Sequence, residues 1–136
     1  MENYFEYKIR VRYADTDQMG FVYYGNYAKF LEIGRVETLR KLGVNYKELE
    51  EEGILLPVLS MDIKYYHPAK YDDILIVLSR VEKIEGVRVF FNYKIKIKEK
   101  LICEANTTLV FTSKENLKPC KPPLKVINRI LLIKST

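Results

Sequence analysis

Tryptophan is absent from this chain, histidine occurs once and cysteine twice. Each scarcity removes a chemistry. A Ser-His-Asp triad or a Cys-His pair would have to be built on His67, which stands just before Pro68 with no serine or cysteine close to it in sequence, so His67 reads as structural. One histidine with Cys103 and Cys120 cannot readily supply the three or four ligands of a zinc site. The two cysteines lack CxxC spacing and read as reduced thiols, neither of them a nucleophile. The phosphate-cradling patterns GxxxxGK[ST] and GxGxxG are missing. No apolar run approaches the ~18 residues of a membrane span, and Met1-Glu2-Asn3-Tyr4 has neither the basic nor the apolar region of a signal peptide. These absences describe a cytoplasmic protein without a membrane span.

What is present bounds the rest. The chain has 136 residues, of which 48% are hydrophobic, enough for one domain with a real core over 1–136 and too few for a second. A net charge of +5 suits anionic partners such as nucleic acid, an acidic protein or a phosphate-rich small molecule like coenzyme A. The basic residues are spread out, as lysines are when they keep exposed strand faces soluble.

Hydrophobic periodicity orders the elements. Phe5, Tyr7, Ile9 and Val11 alternate with charged residues, predicting a strand over Phe5 to Arg12 with one wet face. Tyr27 to Leu42 carries Phe30, Leu31, Ile33, Val36 and Leu39 around more than one helical face and meets Gly43 in the place of a C′ glycine, predicting a long, largely buried helix. Asn45 with Glu48 reads as a capping box opening a short exposed helix that Gly53 ends. Sheet follows: Leu59, Met61, Ile63 and Tyr65 alternate with polar partners, His67-Pro68-Ala69 breaks the strand, and a β-branched run fills 74–81. After a turn at Glu85-Gly86, Val87, Val89, Phe91, Tyr93, Ile95 and Ile97 share one face of a long strand. A further strand spans Leu101 to Thr112, and Lys114 to Pro123 reads as an irregular connection to a short C-terminal element. The order is α+β, and the economical packing is a curved antiparallel sheet wrapped around the long helix. One sheet over one helix leaves an unpaired edge strand, which predicts a homo-oligomer by edge pairing.

Between the first strand and the long helix lies Asp15-Thr16-Asp17-Gln18-Met19-Gly20. Two carboxylates at i and i+2 could cap a helix, form an Asx-turn, bind a hard cation or offer one carboxylate to a pocket. The residues after Asp17 lack the regular oxygen ligands of a calcium loop, so a metal is set aside.

The stretch Tyr13-Ala14-Asp15-Thr16-Asp17-Gln18-Met19-Gly20-Phe21-Val22-Tyr23-Tyr24-Gly25-Asn26-Tyr27 resembles the signature of the 4-hydroxybenzoyl-CoA thioesterase family of hotdog-fold acyl-CoA thioesterases. Phe30, Glu32 and Arg35, and then Tyr65-Tyr66-His67-Pro68-Ala69-Lys70-Tyr71-Asp72-Asp73, continue the likeness over most of the chain. The resemblance implies a hotdog fold, a catalytic Asp17 and a Tyr24 backbone N–H that polarises the thioester carbonyl. It implies an acyl-CoA substrate, no cofactor, no nucleic acid, and a dimer or tetramer with sites at the subunit junction. Elementary chemistry is compatible: N–H groups at a helix start suit a developing oxyanion, and a thiolate from a thiol of pKa roughly 8.5 departs without a histidine acid. Asp17 would act as general base on water or as nucleophile. Many bacterial relatives carry histidine where this chain has Tyr24, so only the main-chain role transfers. Gly20 and Gly25 would let the backbone turn and approach the substrate. Tyr23, Asn26, Tyr27 and Met61 are expected around the substrate, and Arg88, Lys114, Lys118 and Lys121 are candidates for the CoA phosphates. A non-catalytic acyl-thioester-binding module is the alternative. A hotdog hydratase would need a pocket histidine that this loop lacks.

Overall fold

The computed structural model describes residues 4–134. Its strands are β1 (Phe5–Arg10), β2 (Ile54–Leu55), β3 (Val58–Tyr65), β4 (Ile74–Glu85), β5 (Arg88–Ile97), β6 (Lys100–Val110) and β7 (Thr112–Ser113), and its helices are α1 (Tyr27–Lys41), α2 (Tyr46–Glu51) and α3 (Leu124–Lys134). Five strands form one sheet in the order β1-β4-β5-β6-β3, every neighbouring pair antiparallel. The register shifts between Val81 and Lys83 and between Ile95 and Lys96. Such bulges bend strands, and here they let the sheet curl over α1.

The helix-facing residues are those the alternation selects. Leu75, Val77 and Val81 of β4 and Val89, Phe91, Tyr93 and Ile95 of β5 are buried, while α1 lays Phe30, Leu31 and Leu39 into the same core. Contact is close at Gly34, where an added Cβ would stand 2.7 Å from Val77 Cγ1. The missing side chain thus lets helix and sheet approach. The outer face is polar: Asn92 Nδ2 donates to Glu82 Oε1 at 2.9 Å and to Asn106 Oδ1 at 2.7 Å, lacing β4, β5 and β6.

The end of α1 is built as its glycine suggests. Gly43 N–H donates to Arg40 O at 3.0 Å and Val44 N–H to Leu39 O at 2.8 Å, the paired bonds of a Schellman motif. Gly43 has φ 84°, and a Cβ there would also overlap the Arg129 guanidinium of α3. Gly43→Ala is therefore expected to cost about 1–2 kcal/mol of stability, measurable as a lower urea midpoint at unchanged slope.

Several expectations are corrected. The first strand ends at Arg10 and not Arg12, and Tyr7 is exposed, because β1 is a sheet edge that the helix covers only at Phe5 and Ile9. Leu59, Met61 and Tyr65 alternate as an inward face should, yet all three are exposed. They lie on β3, the opposite edge, which is covered only in part: Ile63 packs on the core and the Tyr65 ring meets Tyr27 at the start of α1, but most of the strand's apolar side chains stay exposed. The last long strand stops at Val110, and Thr112–Ser113 leaves the sheet to pair with Ile54–Leu55, a strand the pattern did not suggest. Asn45 caps α2 by accepting from the N–H groups of Lys47 (2.9 Å) and Glu48 (3.2 Å), but the return bond of a capping box is not made among the described residues.

Candidate active site

The acidic stretch folds as a tight hairpin. Asp17 N–H donates to Phe21 O at 2.8 Å, Thr16 bridges Val22, and Tyr23 N–H donates to Asp15 O at 3.0 Å. Gly20 turns the corner with φ 82°, its N–H donating to Asp17 O at 3.0 Å. A Cβ at Gly20 would meet nothing within 4 Å, so the backbone conformation, not crowding, calls for glycine here. The segment after β3 braces the hairpin: Val22 N–H donates to Ala69 O at 2.8 Å and Tyr71 N–H to Gly20 O at 3.2 Å.

The two aspartates divide their work. Asp15 is 4% exposed; its Oδ2 accepts from Arg12 N–H at 2.9 Å and its Oδ1 pairs with the Lys29 ammonium. Burial raises its carboxyl pKa, but the Lys29 hydrogen bond and charge and the Arg12 backbone outweigh it and hold the group below the ordinary value. Its carbonyl also accepts from Asn26 Nδ2 at 2.8 Å, so Asp15 ties hairpin to helix. Asp17 is exposed. Its Oδ1 accepts from the N–H groups of Met19 (2.9 Å) and Phe21 (3.2 Å), which fixes the carboxylate at the hairpin's end.

A folded carboxyl pKa below the unfolded one means that the unfolded state binds more protons on acidification, so the stability Asp15 contributes is present above about pH 4 and is lost as pH falls through its folded pKa. The thermal midpoint of Asp15→Asn should therefore fall less than that of the wild type between pH 5 and pH 2.

Beyond the hairpin, Tyr24–Asn26 forms a single 3₁₀ turn that runs directly into α1. The N–H groups of Tyr24 and Gly25 have no acceptor among the described residues, as first-turn groups do not. Tyr24 is 65% exposed and its carbonyl accepts from Tyr65 Oη at 3.3 Å. Neither carboxylate oxygen of Asp17 is hydrogen-bonded to Tyr24 N–H.

The remaining candidates separate. Tyr23 is exposed, its ring 4.7 Å from that of Tyr24. Gly25 makes no positive-φ turn; a Cβ there would stand 2.7 Å from Tyr23 Cε2, so its bareness accommodates that ring. Asn26 does not cap α1 but bonds the Asp15 carbonyl. Tyr27 is buried between Phe30 and Tyr65. Burial, opposed by a backbone hydrogen bond at Ala69, pushes its phenol up to about 12, so the hydroxyl stays protonated. Met61 is exposed on the β3 edge. Arg88, Lys114, Lys118 and Lys121 are exposed near the start of β5 and around β7, whereas the hairpin adjoins the starts of β4 and β6. The ten residues of β5 put roughly 30 Å between the two ends of the sheet. Within one chain those cations and Asp17 are not brought together. Burial pushes the Cys103 thiol up to about 12, as an inert core cysteine requires. Sequence reading missed Lys29, the counter-ion of Asp15, and Tyr65, which touches Tyr24. The i+14 spacing of Lys29 gave no local signal, and Tyr65 was visible only as a member of the β3 alternation and of the resembling 65–73 stretch, neither of which pointed to Tyr24.

Comparison with known proteins gives the family. The model of the thioesterase-like superfamily matches residues 11–130. The chain is 31% identical over 127 residues to the acyl-CoA thioesterase YbgC of Haemophilus influenzae, covering 93% of each chain. It is 32% identical over 124 residues to the acyl-CoA thioester hydrolase YbgC of Escherichia coli O157:H7, covering 90% of this chain and 92% of the other. The solved DHNA-CoA thioesterase of Staphylococcus aureus superposes with a TM-score of 0.89 at 29% identity, over 97% of this chain and 93% of that one. The fold is thus the hotdog fold, and the chain belongs to the thioesterase-like superfamily.

Proposed function

We propose that the chain hydrolyses acyl-CoA thioesters to a free acid and CoA at the junction of the acidic hairpin and α1. The observation that carries this reading is the combination of an accessible, positionally fixed Asp17 carboxylate with an unpaired Tyr24 N–H at the start of the central helix. The thioester carbonyl oxygen accepts from Tyr24 N–H, which stabilises the oxyanion as the carbonyl carbon becomes tetrahedral. Asp17 either takes a proton from the attacking water or attacks the carbon itself, giving an anhydride that water then opens. The C–S bond breaks with its electron pair on sulfur, and the CoA thiolate leaves without a histidine acid.

A second copy of the chain completes this reading. The exposed apolar residues Val58, Leu59, Met61 and Tyr65 lie along the free edge of β3, and pairing two such edges would cover them. In an antiparallel pairing, the Val58 end of one copy lies beside the Tyr65 end of the other. That arrangement would carry Arg88, Lys114, Lys118 and Lys121 of one chain toward the hairpin of its partner, where CoA phosphates need cations. A cytoplasmic location accords with the carrier, and among the described residues no helix is long and apolar enough to cross a membrane.

The test is thiol release from acetyl-, butyryl-, palmitoyl- and benzoyl-CoA by the purified chain. Steady turnover of at least one is expected. Stoichiometric acyl-CoA binding without thiol release would replace the hydrolase by a binding module.

A further inference from the structure

One buried cation has no counter-ion among the described residues. Arg35, on the middle of α1, is 7% exposed, and its Nε–H is buried without an acceptor. No carboxylate forms an ion pair with it among the described residues. Burial raises the pKa values of the Tyr46 and Tyr93 phenols, and the charge and side-chain hydrogen bonds of the Arg35 guanidinium oppose that rise at both. Those hydroxyls also bond Leu56 O at 3.1 Å and Thr107 Oγ1 at 2.6 Å. Neutral phenols do not balance a desolvated charge, and an unpaired buried ion is costly.

Arg35 and Tyr46 border a cleft of about 490 Å³ whose apolar wall is Val36, Leu56, Pro57 and Val58. That volume suits a small organic group. Glu32, Lys47 and Glu50 also line it, but they are exposed, and solvent and salt screen exposed charges far more than buried ones. The guanidinium is the charge that a ligand inside the cleft would meet.

We propose that Arg35 anchors a carboxylate-binding subsite in this cleft, so that the protein takes ligands with an apolar body ending in a carboxylate. A planar guanidinium matches a carboxylate in geometry as well as charge. Building on the thioesterase reading, the ligand is the distal carboxylate of a dicarboxylic acyl group carried by CoA, or a free carboxylic acid of the same kind. Eleven residues separate Arg35 from Tyr24, about 16–18 Å along the helix axis, which a long extended acyl chain spans. The Val58 wall opens at the β3 edge, so in an edge-paired dimer the cleft also faces the partner's hairpin.

The experiment compares succinyl-, suberoyl- and hexadecanedioyl-CoA with butyryl-, octanoyl- and palmitoyl-CoA as substrates of wild type, Arg35→Met and Arg35→Lys. Calorimetric titration with free suberate and octanoate runs beside it, and oligomeric state and thermal midpoint are recorded for each variant. Arg35→Met keeps an unbranched apolar stem, and replacing an unpaired buried charge this way is compatible with folding. The expected result is a KM lower by about 10- to 100-fold for one dicarboxylyl thioester than for its neutral counterpart, erased in Arg35→Met and partly restored in Arg35→Lys. Suberate binding that Arg35→Met abolishes, without any dicarboxylyl preference, would assign the subsite to a free acid. Equal KM values with no suberate binding would overturn the subsite while leaving hydrolysis of the neutral thioesters standing. Dissociation of the Arg35→Met oligomer with unchanged selectivity would also overturn it, making the partner chain the source of the missing anion. If no thioester is cleaved at all, the hydrolase reading fails, and suberate titration alone still decides the subsite.

Discussion

Asp17→Asn should lower kcat for thioester hydrolysis by about 10²–10⁴-fold, with KM and thermal midpoint close to wild type. The reason lies in which oxygen does which job. Oδ1 of Asp17 accepts from Met19 and Phe21 N–H groups, and the carbonyl oxygen of asparagine can accept the same two bonds. The hairpin therefore keeps its shape. What disappears is the anionic charge that takes a proton from water or attacks the carbonyl, and an amide replaces neither function. Asp17→Ala provides the contrast, since it loses the chemistry and both hydrogen bonds, with a stability cost of about 1–2 kcal/mol. A purely structural Asp17 would give the opposite order: near-normal activity in the asparagine variant and damage only in the alanine one. Steady-state thiol release and thermal melts on the same preparations separate the two.

Tyr24→Pro removes the other half of the site without removing a fold element. Proline has no N–H, and at the first position of a helical turn that N–H has no intrahelical acceptor to lose. The preceding residue must be extended, and Tyr23 already has φ −62° and ψ 131°, within the range proline imposes on its predecessor. Loss of one oxyanion donor is expected to cost about 10²–10³-fold in kcat, moderated by the Gly25 N–H beside it. Tyr24→Ala keeps the N–H and discards the exposed ring, so it should stay within about tenfold of wild type. If alanine and proline were equally damaging, the phenol and not the main chain would be the functional part of Tyr24.

These two positions were singled out by the family resemblance of the 13–27 stretch, while periodicity supplied the elements around them. Strict alternation along β5 and the apolar faces and C′ glycine of α1 gave those elements directly, because both are buried by neighbours on the correct side. The same logic did not foresee that Tyr7, Leu59, Met61 and Tyr65 are exposed, since periodicity reports which residues share a face and not whether anything covers it. Both strands turned out to be sheet edges. The small β2–β7 pair was hidden for a related reason: two residues carry no period.

The site divides in a similar way. The acidic loop and its glycine turn were legible because Asp17 and Gly20 act on backbone within a few residues of themselves, whereas the hairpin pairing and the reach of Asn26 back to Asp15 were not. At Gly25 the backbone makes no positive-φ turn, and the bare Cα leaves room for the Tyr23 ring, a contact that sequence does not announce. The four basic candidates could not be ranked from sequence, because their distance from Asp17 depends on strand direction and, in our reading, on a second chain. Arg35 shows the limit most clearly. In sequence it was one residue of a resemblance, and only the folded environment exposes a buried guanidinium without an anion.

A crystal structure of the Asp17→Asn chain with an uncleaved acyl-CoA tests the central claim most directly. The account predicts a thioester carbonyl oxygen about 2.7–3.1 Å from Tyr24 N, with its carbon facing the side chain of residue 17. A thioester bound elsewhere, or a Tyr24 N–H turned away from it, would contradict the account.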